Sequence, residues 1–454
     1  MADKKSGGGF KSFLLILLII VMSFFLFAAA WLIVIPDSKI FGVSYASFSK
    51  NEVIKIDNSS SIYYNNYSKI IVDTTSEGHG LASVEVNYGT GLSEVRFIQN
   101  SKGFMKGDAR SEYSLSVDTT GGVLNIKLLE PHYNFLCLNS QTRIKLNISQ
   151  VNDPNISNLD ITIKTNKGNI KIGGPTDESL KAYDMNILNA DLNTVGGRIT
   201  LTHLADVSNT LNLTSKNNSI TIEDNISAQN TTISAEKGKI TTQNFLNGNV
   251  AVTSTKSHIE LGNIAGNASL NTRSGTVNFK KIGGNFQTGD KLDNAYINIE
   301  EVAGSVSINN YESDITVKIG KIMGETLIKA GSRSVDIEEV YGYANITTKG
   351  GSIDVTKVLG NANNLVLQTT SGDINAELQN VINTNTFIST SGTINVKYDS
   401  AQEFILNANS EKGSIYLKGE KMDNLSGHMI GSAPNSSNNI TASSNSGRIN
   451  IGWL

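Results

Sequence analysis

The chain has 454 residues, with 38 Lys and Arg against 41 Asp and Glu and a formal net charge of −3. No basic block stands above that balance, which argues against nucleic acid as a partner. Cys137 is the only cysteine, so an internal disulfide and a cysteine-based zinc site are both excluded. Asn, Ser, Thr and Gly are abundant and proline is scarce, yet Ile and Val recur at regular positions. A disordered polar chain lacks such β-branched regularity, so the composition points to a β protein with a polar surface.

Phe13 to Ile35 is an almost unbroken apolar run with Ser23 inside it, preceded by Lys4, Lys5 and Lys11 and carrying Trp31 near its far end. It is long enough to cross a bilayer core of about 30 Å as a helix. The positive-inside tendency then leaves the N-terminus in the cytoplasm and exports the rest. Ala28-Ala29-Ala30 also fits the cleavage site of a signal peptide. Apolar residues continue past it to Ile35, which favours an uncleaved anchor, and both readings export the bulk of the chain.

From residue 36 to residue 160 the pattern is strand-like without a regular repeat. Candidate strands are Val53–Ile56, Lys69–Val72, Val84–Val86, Val95–Phe97, Leu124–Leu128, Ile144–Ile148 and Leu159–Ile163, punctuated by Gly, Asn and Asp. Cys137 lies in the apolar run Phe135–Leu138 and reads as a buried small hydrophobe. Tyr63, Tyr64 and Tyr67 cluster in a polar loop and read as residues at a strand mouth. His79, His132, His203, His258 and His428 are isolated from one another, without metal-ligand spacing, and read as structural or surface residues.

Beyond residue 160 a repeat takes over. Gly or Ser, any residue, Ile or Val, a polar residue and another apolar residue recur at Gly168–Ile172, Gly197–Leu201, Asn218–Ile222, Gly238–Ile240, Ser257–Leu261 and Gly275–Phe279. Ile297, Ile315, Val335 and Ile353 carry it on, and Gly372–Ile374, Gly392–Ile394, Gly413–Ile415 and Gly447–Ile449 complete it. A second marker, an apolar residue two before Gly, runs in phase at Ile264, Ile282, Val302, Ile322, Val340 and Val358. Units of roughly 18–21 residues are too short for a βαβ unit and signal a solenoid. None of the five prolines falls between Pro175 and Pro434, as expected where every strand is paired on both sides. Glu420 to Ser437 reads as a loop insertion or irregular rung, and Asn450 to Leu454 as the closure of the last rung.

The repeats Thr369–Ala376 (T-T-S-G-D-I-N-A) and Ser389–Val396 (S-T-S-G-T-I-N-V) resemble those of a bacterial putative-adhesin family. The resemblance covers roughly residues 145–454 and implies a β-helix at the cell surface. Its motifs are structural and supply no catalytic residues.

The outward positions carry the candidate chemistry. Asp336 and Asp354 fall at equivalent positions one unit apart, with Arg333 and Lys357 nearby, and Glu300-Glu301 and Glu338-Glu339 at matching corners. A calcium or glycosidase site would need such convergent carboxylates, but like charges on a solvated ladder are the plainer reading. Asn278 with Asn298, Asn375 with Asn395, and Thr200, Thr221 and Thr241 fit stabilising amide and hydroxyl ladders, and alternatively glycan contacts.

The sequence therefore predicts an all-β chain: a right-handed parallel β-helix of about fourteen rungs over 161–454. A membrane-proximal β region (36–160), a transmembrane helix (12–35) and a short cytoplasmic tail (1–11) precede it. The function expected is a non-enzymatic surface protein contacting glycans, envelope polymers or another surface protein, without a cofactor. A scaffold associating end to end, an envelope sensor and a polysaccharide-active enzyme are the other readings. No catalytic, metal-binding or ligand-binding residue is named by the sequence.

Overall fold

The computed structural model describes residues 8–35, 38–55, 67–75, 82–89, 94–106, 114–129, 136–140, 142–149, 159–173, 186–202, 206–290, 292–359, 364–379, 383–432 and 437–454. A helix, Gly8–Val34, is followed by strands throughout. Ser12–Val34 is long and apolar enough to cross a membrane. Its large side chains stand exposed along the run from Phe13 to Val34, with only Leu32 buried. Such a surface has no polar face to present to water.

The repeat becomes structure through alternation. In Ile353–Val358, Ile353 and Val355 point inward and Asp354 outward. Thr356 and Lys357 then both face out before Val358 turns back in, which bends the strand around a corner. Ile374–Leu378 lacks that extra residue, and the register shifts between Val355 and Val358 where the two strands pair. The second sequence marker ends at the same place, so it is the signature of the bulged corner.

Each rung supplies two strands to two parallel ladders. The first ladder stacks Ala344–Thr348, Leu365–Thr369 and Thr384–Ser389; the second stacks Val335–Val340, Ile353–Val358, Ile374–Leu378 and Ile394–Tyr398. Every inward residue therefore sits on its counterpart in the next rung, and one continuous apolar column fills the interior. Each buried Ile or Val contributes about 1.5–3 kcal/mol, and no rung could bury its face alone. Phe279 against Phe286, with ring centroids 5.6 Å apart, and Tyr398 against Phe404, at 4.9 Å, fill the wider parts edge to face. One expected repeat position moves by two residues: Val317, not Ile315, pairs with Ile297 and Val335.

The ends are interleaved. Near the C-terminus, Asn439–Ser444 pairs with Thr384–Ser389 on one side and with Phe404–Ser410 on the other. Ile449–Trp453 likewise lies between Ile394–Tyr398 and Ile415–Leu417. The last segment of the chain is thus an inner rung, not the closure of the last one. Residues 404–417 lie outside it, covered by antiparallel Leu425–Ile430 and Glu420–Met422. The expected irregular rung at 420–437 is in part this cover.

The other end repeats the plan. Lys69–Asp73 lies between Val123–Leu129 and Leu159–Thr165, and Ser83–Gly89 between Arg143–Ser149 and Ile170–Gly173. Antiparallel strands Ser114–Asp118 and Glu94–Lys106 cover the outer rung, and Val43–Lys55 pairs with the latter. The irregular stretch in sequence is therefore stacked in the same two ladders as the repeats. Edge strands invite pairing with other chains, and these antiparallel covers stand over the outermost parallel rungs at both ends.

Candidate functional site

The turn between the two ladders is held by a buried hydroxyl. Thr369 Oγ1 accepts the Gly372 N–H at 3.1 Å and donates to the Gly351 carbonyl of the neighbouring rung at 3.1 Å. Ser389 does the same toward Gly392 and Gly372, at 2.9 and 3.3 Å. A Cβ on Gly372 would overlap the Gly351 carbonyl oxygen. The T-x-S-G motif is accordingly structural: the hydroxyl satisfies two backbone groups that the turn would leave buried.

The outer face of the second ladder is charged and largely self-paired. Lys281 meets Glu301 at 3.0 Å, Lys357 meets Glu339 at 3.3 Å, and Lys397 meets Glu377 at 2.9 Å, each across one rung. Glu260 accepts from Lys239 at 2.6 Å and lies 2.7 Å from His258 Nε2, and these two contacts hold its carboxyl below the usual range. The corners at Glu300-Glu301 and Glu338-Glu339 do match, but Gly320-Lys321 lies between them, so signs alternate along the column.

Asp336 does stack directly on Asp354. Burial, and then the charge of Asp354, push the Asp336 carboxyl above the usual carboxylate range. Lys318 of the preceding rung offsets it, whereas the nearby Lys357 is engaged with Glu339. On the other side Asp354 accepts from the Asn375 amide, which accepts from Asn395 at 2.7 Å, and Asn395 accepts from Asn450 at 2.7 Å. Among the described residues no group of three or more His, Cys, Asp or Glu could hold a metal ion. The expected Asn ladders exist, Asn298 donating to Asn278 at 3.3 Å, and they bond to themselves. Tyr67 packs against the core, while Tyr63, Tyr64, His79, His132 and His203 lie outside the described residues, as does the side chain of Cys137.

The first ladder has a different outer face. Beyond Asp206, which opens the first of these strands, six successive segments of this ladder, 207–215, 226–235, 246–254, 268–272, 286–288 and 306–310, contain no Asp, Glu, Lys or Arg. Their outward positions are Ser, Thr, Asn, Gln, Ala and Gly. At a strand spacing of about 4.8 Å this uncharged face runs roughly 24 Å along the stack. A shallow groove crosses it, lined by Thr232, Asn249, Ala251, Asn267, Ser269 and Gln287 among others.

One wall of the groove is an amide column. Asn249 donates to Asn230 at 3.2 Å, and Asn267 donates to Asn249 at 3.1 Å. The Asn267 oxygen accepts the Asn285 backbone N–H at 2.8 Å, and the Asn285 oxygen that of Ser305 at 2.8 Å. The Asn pairs recognised in the sequence, Asn278 with Asn298 and Asn375 with Asn395, do not include this column. Its signal was present in the residue following the Gly of each corner marker: Asn267, Asn285 and Ser305.

Residues 276–452 match the family model described as Toastrack DUF4097. The match is narrower than the roughly 145–454 over which the repeats carry the resemblance, and it includes both adhesin-like motif copies quoted above. The chain is similar to a solved structure described as a putative cell adhesion protein from Clostridium sporogenes ATCC 15579, at 10% identity over 90% of this chain and 100% of that one, with a TM-score of 0.16. It is also similar to a putative adhesin from Parabacteroides distasonis ATCC 8503, at 10% identity over 71% of this chain and 97% of that one, with a TM-score of 0.20. No curated protein matches the chain.

Proposed function

We propose that the chain is a single-pass membrane protein, N-terminus inside, that displays a rigid, non-enzymatic β-solenoid outside the membrane as a contact module. The coil is taken as right-handed, the hand that parallel strand crossovers adopt, with about fourteen rungs of the repeat. The observation that carries the reading is the join of an exposed apolar helix, Ser12–Val34, to a ladder that continues to Trp453. Such a chain holds an extended polar surface away from a bilayer, and extended repeats commonly bind along their length. The self-paired charges of the second ladder support a structural role over a catalytic one.

Tags before Phe10 and after Leu454, with protease added to intact cells, test it. The C-terminal tag is expected to be removed while the N-terminal tag stays with the membrane fraction. Survival of both tags until lysis would sink surface display and leave an internal or periplasmic scaffold. Release of the C-terminal part without the helix would identify a cleaved signal peptide.

A further inference from the structure

We infer that the groove across the uncharged face of the first ladder is a binding site for a neutral polysaccharide; this rests on the proposed surface display only for its biological setting. The strands of the second ladder carry Lys237, Lys239, Lys256, Glu260, Lys280, Lys281, Glu300 and Glu301 at the same heights where the first-ladder strands carry no charge at all. The contrast between two faces of one rod makes the neutral face a specific feature of the surface.

The chemistry of that face fits one class of partner. A protein interface is built around aromatic, Met or Arg anchors, and the outward positions of these six strands hold none. An anionic polymer would require cations, and none lines the groove. What the groove offers is amide and hydroxyl groups repeated every rung, about 4.8 Å apart. The amide column fixes Asn249 and Asn267 through their mutual bond, while the side chains of Thr232, Ser269 and Gln287 have no hydrogen-bond partner among the described residues. Preordered donors and acceptors of both kinds suit a chain of sugar hydroxyls, and stripping water from neutral groups costs less than from charged ones.

Binding would be tested with the full chain in nanodiscs against immobilised dextran, laminarin, mannan and amylose, with polygalacturonate as an anionic comparison. The site predicts retention by at least one neutral polymer, unchanged between 50 mM and 500 mM salt. Ser269→Trp, which covers the groove, is expected to weaken it at least tenfold. Thr276→Trp, on the second-ladder face, is expected to leave it unchanged, with both variants melting near the parent temperature. No retention by any neutral polymer, retention indifferent to Ser269→Trp, or a preference for polygalacturonate abolished by salt would each overturn the site. None of these outcomes bears on protease accessibility at the cell surface, so the display reading stands or falls separately. If Ser269→Trp fails to fold, Gln287→Glu places a charge at the groove rim instead, with the same expected loss.

Discussion

Gly447 lies against the carbonyl oxygen of Gly392, and Gly413 lies against that of Gly447. The turn that comes last in sequence is therefore inside the turn that precedes it. Ile449 pairs with Ile394 on one side and Ile415 on the other and is fully buried. Ile449–Trp453 thereby bridges two rungs and holds the outer one in place.

Ile449→Ala should consequently cost about 2–5 kcal/mol, the range for a large-to-small change in a packed core. Thermal or denaturant unfolding would measure it. A loss below about 0.5 kcal/mol, the range of ordinary surface substitutions, would show that the terminal segment is peripheral and that the interleaved arrangement is wrong. Deleting residues 439–454 should do more, exposing an edge on each of four parallel-paired strands and promoting association.

Gly372→Ala tests the close stacking of the turns. Its added Cβ would overlap the carbonyl oxygen of Gly351, a backbone atom that cannot move aside. The expected cost is about 1–3 kcal/mol, as for overpacking elsewhere. Gly452 has nothing within 4 Å of the same added atom, so Gly452→Ala should change stability by no more than about 0.5 kcal/mol. Equal effects of the two substitutions would remove the steric reason for glycine at this turn.

These two cases show what the sequence made legible. The period, the inward Ile and Val and the turn glycines are local, so each copy announces itself; the candidate strands before residue 160 were legible for the same reason. Which strand neighbours which is not local. Lys69–Asp73 and Asn439–Ser444 read as ordinary strands, and only long-range pairing places each between two segments that are close in sequence. The charge columns were half legible for a related reason. Asp336 over Asp354 needs only one unit of offset, whereas the placement of Lys321 between Glu301 and Glu339 depends on the register of three rungs. The uncharged groove is defined by what six strands lack, and an absence spread over about a hundred residues has no local motif.

Thr369→Val would remove the hydroxyl while keeping a side chain of similar shape. The buried Gly372 N–H loses its partner, while the Gly351 carbonyl keeps the Thr348 hydroxyl at 2.6 Å. Leaving such a group unsatisfied costs about 1–3 kcal/mol. Thr369→Ser keeps the hydroxyl and should recover most of that loss. Chemical denaturation of the three forms decides the matter: if Ser and Val behave alike, the hydroxyl bonds are not what selects Thr or Ser at this position.

The stacked carboxylates predict a pH dependence of definite sign. The Asp336 carboxyl is held above the usual range, first by burial and then by Asp354, with Lys318 and the Ser334 hydroxyl opposing. The folded protein therefore keeps this proton more readily than the unfolded chain, whose Asp titrates near about 3.9. Stability from this site is greatest at acid pH and declines as pH rises from the unfolded value through the folded one. Asp336→Asn removes the repulsion and should stabilise by about 0.2–1 kcal/mol at pH 7, the range for cross-strand pairs. At pH 3, where the parent Asp336 is protonated, the gain should vanish. Lys318→Gln removes the opposing cation and should act in the other direction at pH 7. Melting curves of the two variants at both pH values would test the pair, and a stabilisation by Asp336→Asn that is equally large at pH 3 would show that charge repulsion is not its source.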